Sequence, residues 1–193
     1  MMRSFISRLL LRKDTYLNWF HAFGLAYATS QTKPEELNCL ARSATGRGDA
    51  LEIGTRQGVS AVRIAQVLRP HARLYCVDPW APRKGRPNSS YDICMRHFRR
   101  SGVLERITVL RGMSAEVEAQ MPDSFDFVFV DGDHSYRGIE IDWAIVSRRL
   151  RVGGIICLHD TTPPLHAPER APESPIDTPS LISEHAVWSF CTT

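Results

Sequence analysis

Two carboxylates stand out because of where the chain places them. Glu52 and Asp78 lie in or just after short apolar runs, Leu51-Glu52-Ile53 and Leu74-Tyr75-Cys76-Val77, and Glu52 opens the segment Glu52-Ile53-Gly54-Thr55-Arg56-Gln57-Gly58. A strand that turns into a helix through glycines lets backbone approach a bound molecule closely, and an acid closing the next strand can accept both hydroxyl protons of a ribose. That is chemistry for holding a nucleoside. The G-x-G-x-x-G pattern of dinucleotide sites is missing, and a carboxylate stands where its first glycine would be, a poor neighbour for a pyrophosphate. The pattern favours a ligand that has no phosphate and carries positive charge.

S-adenosylmethionine, with its ammonium and sulfonium, meets that description. A second group of residues follows two later apolar runs: Asp131-Gly132-Asp133-His134-Ser135-Tyr136 after Phe125 to Val130, and His159-Asp160 after Gly154 to Leu158. Neighbouring parallel strands lie about 4.8 Å apart, so if these two pair, Asp131, His159 and Asp160 can reach one cation. Such a set suits Mg²⁺ or Mn²⁺, with the imidazole making it softer. The competing structural role for strand-end polar residues is helix capping, as Ser135 would cap a helix starting at Tyr136. His134, three residues after Asp131, is close enough to accept a substrate proton, and an imidazole suits the role of general base. Asp131, His134 and His159 also form the two-His-one-carboxylate set of non-haem iron oxygenases, a reading that leaves Glu52 and Asp78 unexplained. The other histidines, such as His21, His71 and His97, have no such company and read as surface or packing residues.

To act together these residues must sit at one edge of a sheet. Five runs read as buried strands: 51–53, 74–77, 107–110, 125–130 and 154–158, each bounded by Gly, Pro or Asp. Between them Ala61, Ile64, Ala65 and Leu68 keep helical spacing, as do Ile139, Trp143, Val146 and Leu150, while 91–101 and 114–120 supply two further helices. The alternation predicts an α/β fold, a Rossmann-like doubly wound and mostly parallel sheet with helices on both faces. Ligands of such sheets bind at the carboxyl ends of the strands. Residues 1–48 read as an N-terminal helical cap over a sheet edge, clearest at Pro34 to Arg42. Residues 49–160 read as the core, and 161–193 as a Pro-rich tail with one short apolar stretch, Ala186 to Phe190.

Taken together, Glu52-Ile53-Gly54 with Gly58, Val77-Asp78-Pro79-Trp80, Gly112-Met113-Ser114-Ala115-Glu116, Val130 to Tyr136 and Gly153 to Asp160 resemble the class I S-adenosylmethionine-dependent methyltransferases. Among these the chain is most similar to the group that includes macrocin and mycinamicin O-methyltransferases and cephalosporin-hydroxylase-like proteins. The resemblance runs from about Pro34 to Asp160. It implies that the methionine part lies at Glu52, Gly54, Thr55 and Gly58, the ribose at Asp78 and the adenine beside Ser114, with Asp131 bordering the cofactor. It also implies Mg²⁺ at Asp131, His159 and Asp160, and His134 as the base. The family fold continues past its fifth strand to a closing antiparallel strand pair, for which 161–193 hold too few strand signals, so that ending is expected to be incomplete.

Composition narrows the rest. A chain of 193 residues with 43% hydrophobic and 23% charged residues can bury a core without a metal or disulfide staple. The formal net charge of +3 is too small to suggest a dedicated nucleic-acid or membrane-surface protein, and Arg99-Arg100 and Arg148-Arg149-Leu150-Arg151 fit helix ends, where cations complement the dipole. Five scattered cysteines without a Cys-x-x-Cys pair fit a reducing compartment, and no apolar run approaches the roughly 18 residues of a membrane span. The first thirteen residues carry Arg and Lys but no acid, which suits an amphipathic surface helix or an organellar presequence. The expectation is a cytoplasmic O-methyltransferase acting on a small-molecule acceptor such as a sugar or polyketide-like metabolite, with no nucleic-acid or membrane partner and with room for a homo-oligomer. The alternatives are a catalytically degenerate S-adenosylmethionine-binding regulator and an iron hydroxylase.

Overall fold

The computed structural model describes residues 16, 19–21, 23, 26–82 and 88–159, and the backbone of 187–188. Its elements run α1 (Pro34–Ala44), β1 (Ala50–Ile53), α2 (Val59–Val67), β2 (Leu74–Asp78), α3 (Ser90–Arg100), β3 (Ile107–Arg111), α4 (Ser114–Val117), β4 (Phe125–Val130), α5 (Tyr136–Arg149), β5 (Leu150–Leu158) and β6 (Val187–Trp188). Short 3-10 turns precede β3 and follow α4. The sheet order is β3-β2-β1-β4-β5-β6 and every pairing is parallel. All five expected strands form, and the reversal of chain direction across the sheet falls between β1 and β4, where an open α/β sheet leaves its crevice.

Both faces are covered, which is why β4 is apolar on either side. Phe127 and Phe129 pack with Leu40, Ile64 and Phe98 from α1, α2 and α3. Val128 and Val130 pack with Val117 and Ile145 from α4 and α5. Three differences from the sequence expectation have local causes. Helix α1 lies on a face of the sheet against α2, β4 and β5, not at an edge, because Leu40 and Ala44 join the core. Strand β5 starts at Leu150, since its exposed Arg151 and Val152 carry no burial signal and a register shift separates them from the buried end. Beyond β5 the described backbone adds one two-residue strand, parallel to β5, where the family resemblance leads one to expect an antiparallel pair. A parallel neighbour needs a crossover of a dozen or more residues, and the chain between Leu158 and Val187 is long enough to make one.

The basic runs end helices as expected: Arg148 and Arg149 close α5 and both pair with Glu118, at 3.1 and 2.9 Å. Among the described residues Cys39, Cys76, Cys94 and Cys157 are free thiols. No helix of the described residues is long and apolar enough to cross a membrane. The expected amphipathic segment 1–13 and nearly all of the Pro-rich tail lie outside the described residues.

Candidate active site

The strand ends are drawn together by backbone hydrogen bonds that continue the ladder past the strands. Gly54 N–H donates to Val77 O at 2.8 Å, Asp131 N–H to Ile53 O at 2.8 Å and His159 N–H to Val130 O at 3.0 Å. Gly54 and Gly58 are required here by packing as well as by any ligand. Gly54 sits at φ +95°, and a Cβ on it would lie 1.9 Å from the Asp131 carbonyl oxygen. Gly58, at φ +77°, faces the Phe98 ring, which a Cβ would meet at 2.4 Å. Close approach of β1 to β4 and of α2 to α3 therefore fixes the loop.

Above these ends lies a cavity of about 1100 Å³, slightly larger than the roughly 300–1,000 Å³ of small-molecule sites. That is room for a nucleoside-bearing ligand and an acceptor side by side. Gly54, Thr55, Gly58, Asp78, Ser114, Asp131 and His134 line it, so most of the residues singled out from sequence share one space. Glu52 and His159 do not line it.

Asp78 closes β2 and organises both adjoining loops. One carboxylate oxygen accepts the Arg56 N–H at 2.8 Å and the other the Trp80 N–H at 2.7 Å. Both donors are held in the left-handed region, Arg56 at φ 49° and Trp80 at φ 42°, a conformation that costs of order 1–3 kcal/mol and persists only where the surroundings enforce it. The Trp80 indole completes the clamp by donating to Arg56 O at 2.7 Å. Each carboxylate oxygen has more than one acceptor site, so Asp78 can receive ribose hydroxyls while holding the loops.

Deeper along the cavity, the Ser114 hydroxyl donates to Asp142. Burial raises the Asp142 carboxyl above its ordinary range, against the pull of that hydroxyl. Sequence reading passed over Asp142, although an acid between the apolar Ile139, Trp143 and Val146 of one helix is itself a signal.

Glu52 lies under the cavity floor. Its side chain is fully buried, and the Cys76 thiol donates to it at 3.9 Å. Burial pushes its pKa up to about 7, the Ser60 and Thr55 hydroxyls pulling the other way. A folded-state pKa above the ordinary 4.5 means that the folded protein holds this proton longer than the unfolded chain. The associated stability is complete at acid pH and is lost as pH rises through about 7. Glu52→Gln is therefore expected to be the more stable protein at pH 8.5, by about 3 kcal/mol, with little difference at pH 4.5. Urea unfolding of both proteins at the two pH values checks this, and equal differences at both would contradict it.

At the other end of the cavity, Asp131 Oδ1 lies 3.2 Å from His134 Nε2 and 3.2 Å from His159 Nδ1. His159 Nε2 in turn faces Glu36 Oε2 of α1 at 3.5 Å, a contact the sequence did not reveal because Glu36 reads as a helix-start residue, bonding the Lys33 N–H at 2.7 Å. Ser135 caps α5 as expected, its hydroxyl accepting the Gly138 N–H at 3.1 Å. Asp160 lies outside the described residues. The described donors offer a cation one carboxylate and two imidazoles, and Mg²⁺, which takes oxygen ligands in near-ideal octahedra, does not fit that set. S-adenosylmethionine does fit the cavity: a carboxylate stands at the second strand end, and the glycine turn and Ser114 border the same space.

Comparison with known proteins gives the arrangement its relatives. The chain is 29% identical over 119 residues to the catechol O-methyltransferase of Mycobacterium tuberculosis, covering 61% of this chain and 50% of that protein. The chain thus spans about half the length of this curated relative. An O-methyltransferase from Bacillus cereus, solved in complex with SAH, superposes with a TM-score of 0.52 at 24% identity, over 76% of this chain and 63% of that one. The O-methyltransferase TomG from Streptomyces achromogenes, involved in tomaymycin synthesis and solved with SAM, gives 0.54 at 23% identity, over 76% and 62%. These likenesses are likenesses of fold. The model of a family described as a methyltransferase domain matches residues 51–161, more than half of the chain and all of the strands that carry the cavity; the chain belongs to that methyltransferase family.

Proposed function

We propose that this protein transfers a methyl group from S-adenosylmethionine to a hydroxyl oxygen of a small molecule, a sugar or polyketide-like metabolite. The observation that carries the reading is the single cavity with Asp78 and Ser114 in its walls and the Asp131–His134 pair in the same lining. When bound, S-adenosylmethionine supplies a methyl carbon on a sulfonium that is already a good leaving group. The protein must then align the two partners and provide a base. Alignment of both partners in one cavity can lower the barrier by several kcal/mol. Asp78 is the residue for the ribose hydroxyls, and the Ser114–Asp142 pair is the polar edge for the adenine.

A sugar-like hydroxyl is almost fully protonated at neutral pH, so oxygen attack needs a proton acceptor. His134 lines the cavity with Nε2 turned to Asp131, and we assign Nδ1 as the nitrogen that takes the proton. Asp131 then stabilises the imidazolium that forms, as a carboxylate partner does for a catalytic histidine. His159, backed by Glu36, meets the same Asp131 oxygen through Nδ1. Because this route uses protein groups alone, Mg²⁺ has no step in it.

Calorimetric titration with S-adenosylmethionine, in the presence and absence of a chelator, followed by an acceptor screen for methyl transfer, tests the reading. Binding is expected in both conditions with the same affinity. Absence of binding to the folded protein would end it, and binding without turnover on any hydroxylated acceptor would favour the regulatory alternative.

A further inference from the structure

In the Asp131–His134–His159 cluster the two carboxylate–imidazole contacts have the spacing of neighbouring ligands in a coordination shell. The cluster's three donor atoms all lie within 4.8 Å of one another, and the carboxylate oxygen is 3.2 Å from each imidazole nitrogen. Ligands bound to one ion at about 2.0–2.1 Å are separated from each other by about 3.0–3.4 Å along the edges of an octahedron or tetrahedron. Asp131 and His159 come from adjacent strand ends, since β4 and β5 pair in register up to Val130 and Leu158, so their spacing is set by the sheet, and His134 reaches them from the loop that precedes α5. A further feature belongs to metal sites in particular. His159 presents Nδ1 to the cluster and Nε2 to Glu36. A histidine ligand ordinarily has its second nitrogen held by a carboxylate in this way, which fixes the tautomer and makes the ligand more basic.

We propose that Asp131, His134 and His159 bind a divalent transition ion of the imidazole-preferring class, Zn²⁺, Co²⁺ or Ni²⁺, in preference to Mg²⁺, and that the bound ion removes His134 as a base. The selectivity follows from the donors: two imidazoles and one carboxylate suit these ions, while Mg²⁺ and Ca²⁺ want oxygen. The second part is proton bookkeeping. A neutral imidazole that gives its Nε2 lone pair to a metal carries its proton on Nδ1, the nitrogen assigned above to receive the acceptor's proton. Metal binding and base catalysis therefore exclude one another at His134. This consequence for turnover rests on the function proposed above; the binding does not.

The test is a titration of the full chain, without a histidine tag, with Co²⁺, Zn²⁺ and Mg²⁺, following heat and, for Co²⁺, the visible absorption of the bound ion. One equivalent of Co²⁺ or Zn²⁺ is expected to bind, with no Mg²⁺ uptake at the same concentrations. His134→Ala and, separately, His159→Gln should lose it, while Glu36→Gln should weaken it by roughly 10–100-fold, the usual cost of losing a carboxylate behind a metal-bound histidine. Thermal melting of each variant without metal shows that it is folded, and Asp131→Asn provides a third, near-isosteric variant should either histidine change unfold the chain. Binding of Mg²⁺ as tight as that of Co²⁺, or Co²⁺ binding indifferent to all of these substitutions, would overturn the site. In the methyl-transfer assay, Zn²⁺ should inhibit the wild type reversibly on chelation, and stimulation by Zn²⁺ would overturn the second half. S-adenosylmethionine titration of the same samples separates the two readings: cobalt binding without cofactor binding sinks the function and keeps the site, and the reverse does the opposite.

Discussion

Replacing His134 by alanine is expected to lower kcat for methyl transfer by roughly 10²–10⁴, the range for a lost general base, and to leave affinity for S-adenosylmethionine nearly unchanged. The expectation follows from position. His134 is about half exposed, its side chain at 49%, and it lines the cavity against Asp131. Little packing is lost when it is truncated, and substitutions at such exposed positions usually change stability by about 0.5 kcal/mol or less. A structural role would act differently, lowering the melting temperature, cofactor binding and rate together. Thermal melting, cofactor calorimetry and single-turnover rates on one preparation separate the two. Added imidazole gives a further reading, because a small base that enters the vacated space should restore part of the rate of His134→Ala but do nothing for a misfolded site. A folded variant with undiminished kcat on an acceptor the wild type methylates would remove His134 from the mechanism.

The second large effect is expected at Asp78. Asp78→Ala should weaken S-adenosylmethionine binding by about 2 kcal/mol, the scale of lost charge-assisted hydrogen bonds, which is roughly thirtyfold in Kd. The structure adds a complication that the sequence did not contain. Asp78 also receives the backbone N–H groups of Arg56 and Trp80, both in the left-handed region, so its removal loosens the two loops that border the cofactor. Asp78→Asn sorts these contributions. The amide keeps a carbonyl acceptor for one loop but gives up the charge that strengthens a bond from a ribose hydroxyl. If direct ribose contact dominates, the asparagine variant should also bind several-fold more weakly while melting close to the wild type. If loop order dominates, asparagine should lower the melting temperature and cofactor affinity together, because its NH2 cannot accept the second of the two backbone N–H groups. Unchanged affinity in a folded Asp78→Ala protein would take away the main support for the nucleoside half of the cavity.

Much of this was legible in the chain because the signals are local. Strands buried on both faces must be apolar throughout, as Phe125 to Val130 are, and α2 and α5 carry their core residues at helical spacing. Parallel strands separated by helices leave few topologies, and each of them places the residues after β1, β2 and β4 along one edge. That reasoning was enough to bring Gly54, Asp78, Asp131 and His134 into one space, where the cavity lies. Exposed stretches escaped it, as at the start of β5, because Arg151 and Val152 face solvent and have no reason to be patterned.

What the sequence determined by itself was therefore the order of strands and helices and the edge on which chemistry gathers. Which atoms meet there was decided by tertiary structure. Glu52 alternates with its neighbours along β1 and so points into the layer beneath α2, where burial raises its pKa. Ser114 finds Asp142 28 positions away, and His159 finds Glu36 across the face of the sheet. Distances of this kind depend on how α1 and α5 settle on the sheet, on loop backbone such as the left-handed Arg56 and Trp80, and on side-chain rotamers. Periodicity carries none of that information: it records which residues are buried, whereas a site depends on positions to within a fraction of an ångström, set by packing between segments far apart in the chain.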